Sequence, residues 1–252
     1  MAFPRDNVIV LTATLLALAA PSPTKAADAE SSFEREGVRF RAYVCKPEKI
    51  RLLWKDDHGK ILGDLAAARD SLGRSGQKAA MLVNGGIFEP GGIPSGLLVA
   101  GGKQLNALNL RTGRGNFYLQ PNGVFAIVDG KARVMESTAY DKARLSPSEA
   151  VQSGPLLLQA GQVHPAFRAD SANRLHRHGV GVRHDGQVLF LITDPHAGAL
   201  CNLHSFALAF REQGCQDALF LDGDISQMWT GPQLDQPGAR SNAFGSIIAV
   251  LP

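Results

Sequence analysis

Short apolar runs cut by turn residues constrain this chain most. Asn122-Gly123, Asp129-Gly130 and Asp185-Gly186 each separate two such runs. These dipeptides suit tight hairpins because both turn positions tolerate positive φ. The runs at 123–128, 132–136, 180–184 and 187–193 therefore read as strands. So do 38–44, where Val38, Phe40, Ala42 and Val44 alternate with Arg39, Arg41 and Tyr43, and the stretches 50–54, 79–83, 116–119, 156–158 and 244–250. Helical spacing occurs at 61–72, with apolar residues at 61, 62, 65, 68 and 72, and again at 202–213. Ser146-Pro147-Ser148-Glu149 has the form of a capping box and predicts one short helical turn. The polar residues 27–37 predict a loose arm. Together these give an α+β fold: a strand-rich single domain with mixed or antiparallel sheet and two main helices.

One apolar run ends in chemistry. Leu219 to Leu221 reads as a buried strand, and Asp222-Gly223-Asp224-Ile225-Ser226 follows at its end. Polar groups at strand ends are where open sheets hold ligands. Four more positions have the same character: Asn84-Gly85-Gly86, Gln152-Ser153-Gly154-Pro155, Arg177-His178-Gly179 and Asp194. Taken singly, each is also an ordinary turn.

The 252 residues and 44% hydrophobic content suffice for a sizeable core. A formal net charge of +3, with scattered lysines and arginines, gives no footprint for nucleic acid. Arg5, the apolar run 8–20, Pro21, Pro23 and the small residues Thr24 and Ala26 form an export-signal pattern over residues 1–26. The predicted domain is therefore 27–252, periplasmic or secreted, with no stable membrane insertion once the signal is cut. Export permits a disulfide. Cys201 and Cys215 flank the second helix, whose ends lie roughly 18 Å apart. Any bridge then uses Cys45, with Cys215 favoured; three free thiols are the alternative.

In order, Asn84-Gly85-Gly86-Ile87-Phe88, Gly115-Asn116-Phe117, Gln152-Ser153-Gly154-Pro155, Arg177-His178-Gly179-Val180-Gly181-Val182 and Leu221-Asp222-Gly223 with Ser226 resemble the successive motifs of the phosphodiester glycosidase family. The resemblance runs over roughly residues 33–251. It departs at Asp224-Ile225, where a family member acting on a sugar-phosphate-sugar diester has two glycines, and at His178, a variable position. It implies an exported hydrolase that cleaves a sugar-1-phosphodiester at the anomeric carbon, releasing free sugar and a phosphomonoester. Such a leaving group is a weak base, so a cation on the phosphate and a carboxylate at the anomeric centre matter more than a strong general acid.

The resemblance makes Arg177 the phosphate clamp and Asp222 and Asp194 the carboxylates, as base or nucleophile. Asn84, Gln152, Ser153, Ser226 and Asp224 become substrate contacts, and Gly85, Gly86 and Gly154 allow close approach. Glu89 is a further candidate. The expected partner is a sugar-phosphate small molecule or envelope polymer, with no cofactor and no metal. Three rivals stand against this reading. A calcium loop starting at Asp222 fails at Gln227 and Gln233, while zinc on His176, His178, Asp194 and His196 lacks a recognised spacing. A serine hydrolase using Ser153 lacks its elbow, since Val151 stands two residues before it. A non-catalytic carbohydrate-binding or envelope-assembly protein is the alternative from another class.

Overall fold

The computed structural model describes residues 28–194, 200–231 and 244–252. The export-signal pattern, His196 and Gln233 lie outside the described residues. In chain order the strands are β1 (Ala29–Arg35), β2 (Val38–Cys45), β3 (Ile50–Leu53), β4 (Met81–Asn84), β5 (Phe88–Glu89), β6 (Ile93–Pro94), β7 (Leu98–Ala100), β8 (Lys103–Asn106) and β9 (Gly123–Val128). They continue as β10 (Lys131–Glu136), β11 (Glu149–Ser153), β12 (Leu156–Gln159), β13 (Gln162–Val163), β14 (His178–Arg183), β15 (Val188–Thr193), β16 (Cys215–Asp222), β17 (Met228–Thr230) and β18 (Ile247–Val250). The helices are α1 (Leu65–Arg74), α2 (Ser137–Ala143) and α3 (Leu203–Glu212).

Among the described residues there are four sheets, antiparallel in all their pairings: β5 and β6 form a two-stranded one, and the three larger sheets enclose one inner core. The seven-stranded sheet runs β1-β2-β15-β14-β16-β12-β13, the five-stranded sheet β10-β9-β11-β7-β8 and the four-stranded sheet β17-β4-β18-β3. Strand alternation sends Tyr43, Met81, Val83, Phe125, Val151, Val180, Phe190, Leu219 and Ile248 inward to one cluster. The other face of each larger sheet is covered by a helix. α3 lays Phe206 and Phe210 on Leu189, Leu191 and Phe220 of the seven-stranded sheet. α1 lays Leu65, Ala68 and Leu72 on Leu82 and Ile247 of the four-stranded sheet. Tyr140 of α2 packs with Val124 and Ala126 of the five-stranded sheet. α3 comes close because β14 is glycine-rich: a Cβ on Gly179 would lie 2.6 Å from Leu219 O and 3.3 Å from the Phe206 and Phe210 rings.

The α+β, strand-rich expectation holds: the two main helices are α1 and α3, and among the described residues the shorter α2 joins them. α1 is capped by Asp64, whose Oδ1 accepts from Ala67 N at 2.7 Å, and α3 by Asn202, whose Oδ1 accepts from Ser205 N at 2.8 Å. Four local expectations are overturned. The arm at 27–37 is edge strand β1, paired with β2 from Ala29↔Val44 to Arg35↔Val38. Residues 116–118 form a 3₁₀ turn. The Ser146–Glu149 box opens no helix: Glu149 begins β11, and its carboxylate accepts from Leu52 N at 2.8 Å and Gly101 N at 3.2 Å. No disulfide joins Cys45 to Cys215, because β2 points Cys45 to the inner core while Cys201 and Cys215 lie under α3.

Candidate functional site

The strands that carry the polar motifs end at one place. β16 ends at Asp222, β4 at Asn84, β11 at Ser153 and β15 at Thr193, while β14 starts at His178. Each of the three larger sheets thus contributes an end, and side chains stitch the ends together. Ser153 Oγ, on the five-stranded sheet, donates to Leu221 O at 3.0 Å and accepts from Ile87 N at 3.2 Å. Asn84 Nδ2, on the four-stranded sheet, donates to Asp222 Oδ2 at 3.0 Å, and its Oδ1 accepts from Gln227 N at 2.9 Å.

Asp222 is half-buried. Its second oxygen, Oδ1, accepts from Gly223 N at 2.7 Å. Burial pushes its pKa up to about 6, the negative charge of Asp224 adds to the rise, and the Gly223 and Asn84 donors oppose it. A carboxyl group titrating there is ionised at neutral pH yet basic enough to take a proton.

His178 is buried directly opposite Asp222 in the β14–β16 ladder. Its Nε2 lies 2.7 Å from Asn84 O, a pure acceptor, so Nε2 carries the proton. Its Nδ1 lies 2.8 Å from Ser226 Oγ, which also donates to Gly223 O. Burial lowers the imidazole pKa to about 4, leaving the ring neutral above that pH. Beside it, Thr193 Oγ1 contacts His176 Nδ1 at 3.1 Å and accepts from Arg177 N at 3.0 Å. His176 N donates to Asp224 Oδ1 at 3.2 Å.

Asn84, Asp222, Ser226 and Asp224 therefore come together. Other candidates have different duties. Arg177, expected as the phosphate clamp, is fully buried: Nε donates to Cys201 O at 2.8 Å and Nη2 to Asn173 O at 2.9 Å. Its guanidinium lies 5.8 Å from the Phe220 ring, beside the core under α3. Two of its five N–H groups are spent on carbonyls, and Nη1 has no hydrogen-bond partner among the described residues. Gln152 is fully committed. Oε1 accepts from Leu97 N at 3.0 Å and Asn109 N at 2.9 Å, and Nε2 donates to Asn109 O at 2.7 Å and Ser137 Oγ at 3.1 Å. Gln152 and Ser153 brace the site from behind. Gly86 serves the same packing, since a Cβ there would lie 2.7 Å from Gln152 O. Gly85 N donates to Ser246 O at 2.8 Å, and a Cβ on Gly154 would lie 2.9 Å from Phe117 O.

Asp194 continues from β15, two strands from Asp222, and pairs with Arg39 Nε at 3.6 Å. Glu89 accepts from Ser95 Oγ at 2.9 Å. Among the described residues no three His, Cys, Asp or Glu side chains converge as a metal site. Sequence reasoning missed His178 as a partner of the site. Its contacts lie 48 and 94 residues away, on the turn after β16 and at the end of β4, and only the folded chain brings them near.

The family model described as Phosphodiester glycosidase matches residues 77–251. An uncharacterized protein, YigE, of Escherichia coli (strain K12) is 33% identical over 195 residues, covering 76% of this chain and 74% of that protein. Among solved structures, the catalytic domain of zebrafish N-acetylglucosamine-1-phosphodiester alpha-N-acetylglucosaminidase, auto-inhibited by its pro-peptide, superposes with a TM-score of 0.60 at 14% identity. That match covers 89% of this chain and 82% of the zebrafish chain. A hypothetical protein from Synechocystis gives a TM-score of 0.57 at 14% identity, over 89% of this chain and 61% of its own. The two structural likenesses speak for the fold.

Proposed function

This chain belongs to the phosphodiester glycosidase family, and from that premise we propose that it is a hydrolase cleaving the glycosidic bond of a sugar-1-phosphodiester, with Asp222 as the working carboxylate. The observation that carries the reading is the setting of Asp222: a half-buried acid at a strand end, fixed through both oxygens and titrating near pH 6. Above that pH the carboxylate is ionised, and it takes a proton from the attacking water as that water bonds to the anomeric carbon. The glycosidic C–O bond breaks with its electron pair moving to the phosphate oxygen. The products are free sugar and a phosphomonoester, which leaves without a strong general acid.

Asp194 follows a strand separated from β16 by β14 alone. Ile192 is level with Asp222 across β14, so two spacings of about 4.8 Å and two residues along the strand put the Asp194 and Asp222 backbones roughly 12 Å apart. The substrate class is a sugar-phosphate small molecule or envelope polymer met in the periplasm or outside the cell, in keeping with the signal pattern of residues 1–26. No cofactor enters the scheme.

The test is to incubate the purified protein with an N-acetylglucosamine-1-phosphate alkyl diester and follow free reducing sugar, with and without chelator. Release that survives chelator and is lost in Asp222→Asn supports the proposal. Tight sugar binding with no release overturns it in favour of a carbohydrate-binding protein. Release abolished by chelator overturns the metal-free scheme.

A further inference from the structure

The hydrogen bonds around Asp222 close into a ring. Asp222 Oδ2 accepts from Asn84 Nδ2 at 3.0 Å. The backbone oxygen of the same Asn84 accepts from His178 Nε2 at 2.7 Å. His178 Nδ1 meets Ser226 Oγ at 2.8 Å, and Ser226 Oγ meets Gly223 O. Gly223 N then donates to Asp222 Oδ1 at 2.7 Å. Each of the two groups that donate to the carboxylate is therefore held, at its other side, by a chain of bonds starting on one imidazole.

We infer that His178 is the positioning residue of this site, fixing Asp222 at both carboxylate oxygens through Asn84 on one arm and the Ser226–Gly223 turn on the other. The inference rests on the reading of Asp222 as the working carboxylate. Four features carry it. First, the ring spans two sheets, since Asn84 ends β4 and Asp222 ends β16, so no single hairpin enforces the geometry. Second, the site lies where the β14–β16 ladder loses regularity, with a register shift between the His178 and Gly179 pairings, so backbone pairing alone does not fix the turn after Asp222. Third, both imidazole nitrogens are used inside the protein, which leaves the ring no proton to exchange with a ligand. Fourth, the Asn84 arm is proton-balanced in a neutral imidazole. Nε2–H faces a carbonyl, while Ser226 carries one proton for two acceptors, Nδ1 and Gly223 O, and serves one of them at a time.

Among the described residues the charged groups near the ring are few. Asp224 pushes Asp222 upward, His176 N donates to Asp224, and the Arg177 cation acts on Asp224 from below. Asn84 on β4 and Ser153 on β11 bring no charge. The donors aimed by His178 are thus the main influence that holds the Asp222 titration down against burial.

The experiment titrates the full chain, labelled with ¹³C at the aspartate carboxyl carbons, by NMR, with Asp222 assigned by loss of its signal in Asp222→Asn. His178→Leu and Ser226→Ala break the ring. His178→Gln keeps one donor for Asn84 O and one acceptor for Ser226. Ser226 lies on a half-buried turn, so its variant tests the ring even where a core change at 178 fails to fold. Expected is a rise of the Asp222 midpoint by at least about half a pKa unit in the leucine and alanine variants, and a midpoint near the wild-type value in the glutamine variant. With a sugar-1-phosphodiester, kcat falls about 10²-fold in His178→Leu while KM stays within about twofold. A midpoint unchanged or lowered in the ring-breaking variants overturns the inference. Absence of turnover by the wild-type chain sinks the enzymatic reading instead, and the titration still decides the role of His178.

Discussion

Two acids in this molecule, Glu149 buried and Asp222 half-buried, have been given different work. Glu149 and Asp222 each accept two hydrogen bonds, and burial raises the pKa of each. Glu149 is 3% exposed, and both its donors are backbone amides, Leu52 N on β3 and Gly101 N after β7. Those amides belong to two different sheets, so the carboxylate acts as a mortar between them. Around it the surface is lined by Ile50, Arg51, Gly101, Ile127 and Ser148. Asp222 is half-buried at a strand end, one of its donors is a side chain, and the surrounding bonds return to it. Burial with a raised pKa is shared by both acids and does not mark a site. The marks are the opening to solvent and the supporting ring of adjustable side chains.

The largest expected effect separates the two acids by activity. Asp222→Asn should lower kcat on a sugar-1-phosphodiester by roughly 10²- to 10⁴-fold, the range for loss of a general base. Glu149→Gln should leave the activity of the folded molecules unchanged. Equal losses in the two variants would break the comparison. The next effect sharpens it through pH. A base with a pKa of about 6 must be ionised to act, so kcat should rise up to pH 6 and level off above it. Below the midpoint the fall is about tenfold per pH unit. Glu149→Gln should keep that limb in place, since Glu149 takes no part in the reaction.

The sequence reveals one of these acids more plainly than the other. Asp222, Asn84 and Ser226 were readable because short apolar strands stop beside them, and a strand's end is a local property. The hairpins at Asn122-Gly123 and Asp185-Gly186 were readable for the same reason. Glu149 was misread as part of a capping box because Ser146 stands three residues before it. The donors that claimed its carboxylate are 97 and 48 residues away, and they won. Arg177 and Gln152 follow the same logic. Gln152 spends both ends of its amide, and Arg177 spends Nε and Nη2, on groups that only the folded chain brings near, while Arg177 Nη1 has no partner among the described residues. The β1 arm looked loose because a mostly exposed edge strand carries no inward apolar stripe. Distant pairing decides which polar residue faces a ligand and which closes a gap.

A smaller effect tests the mortar role. Glu149→Gln keeps the shape of the side chain but offers one acceptor where two amides need one each. Leaving a buried N–H without a partner costs about 1–3 kcal/mol. Urea unfolding at pH 7 should show a loss of that size, with the m-value unchanged. Asp222→Asn should lose less, because its turn borders solvent and the second amide can bond water. A larger loss at Asp222 than at Glu149 would reverse the comparison.

The smallest effect lies in the stability of the wild-type chain against pH, where Asp222 is opposed by its own positioning residue. Asp222 rises from 3.8 to about 6 on folding. The stability it contributes is complete below the unfolded value and is lost as pH rises through about 6. His178 falls from 6.5 to about 4 on folding. Its contribution is complete above 6.5 and is lost as pH falls through about 4. The windows overlap and the signs oppose, each worth about 3 kcal/mol at 1.36 kcal/mol per unit. The pair should therefore tilt wild-type stability by less than about 1 kcal/mol between pH 4 and 6. Glu149, also raised, adds a fall with rising pH. Asp222→Asn uncovers the imidazole, so its stability should climb with pH across that window relative to wild type, and His178→Gln should descend. Glu149→Gln should tilt the curve in the same direction as Asp222→Asn, since both remove a raised acid, and thermal unfolding at half-unit pH steps reads all three slopes. If Asp222→Asn and His178→Gln tilt the same way, Asp222 and His178 do not occupy the buried, opposed settings on which the contrast with Glu149 depends.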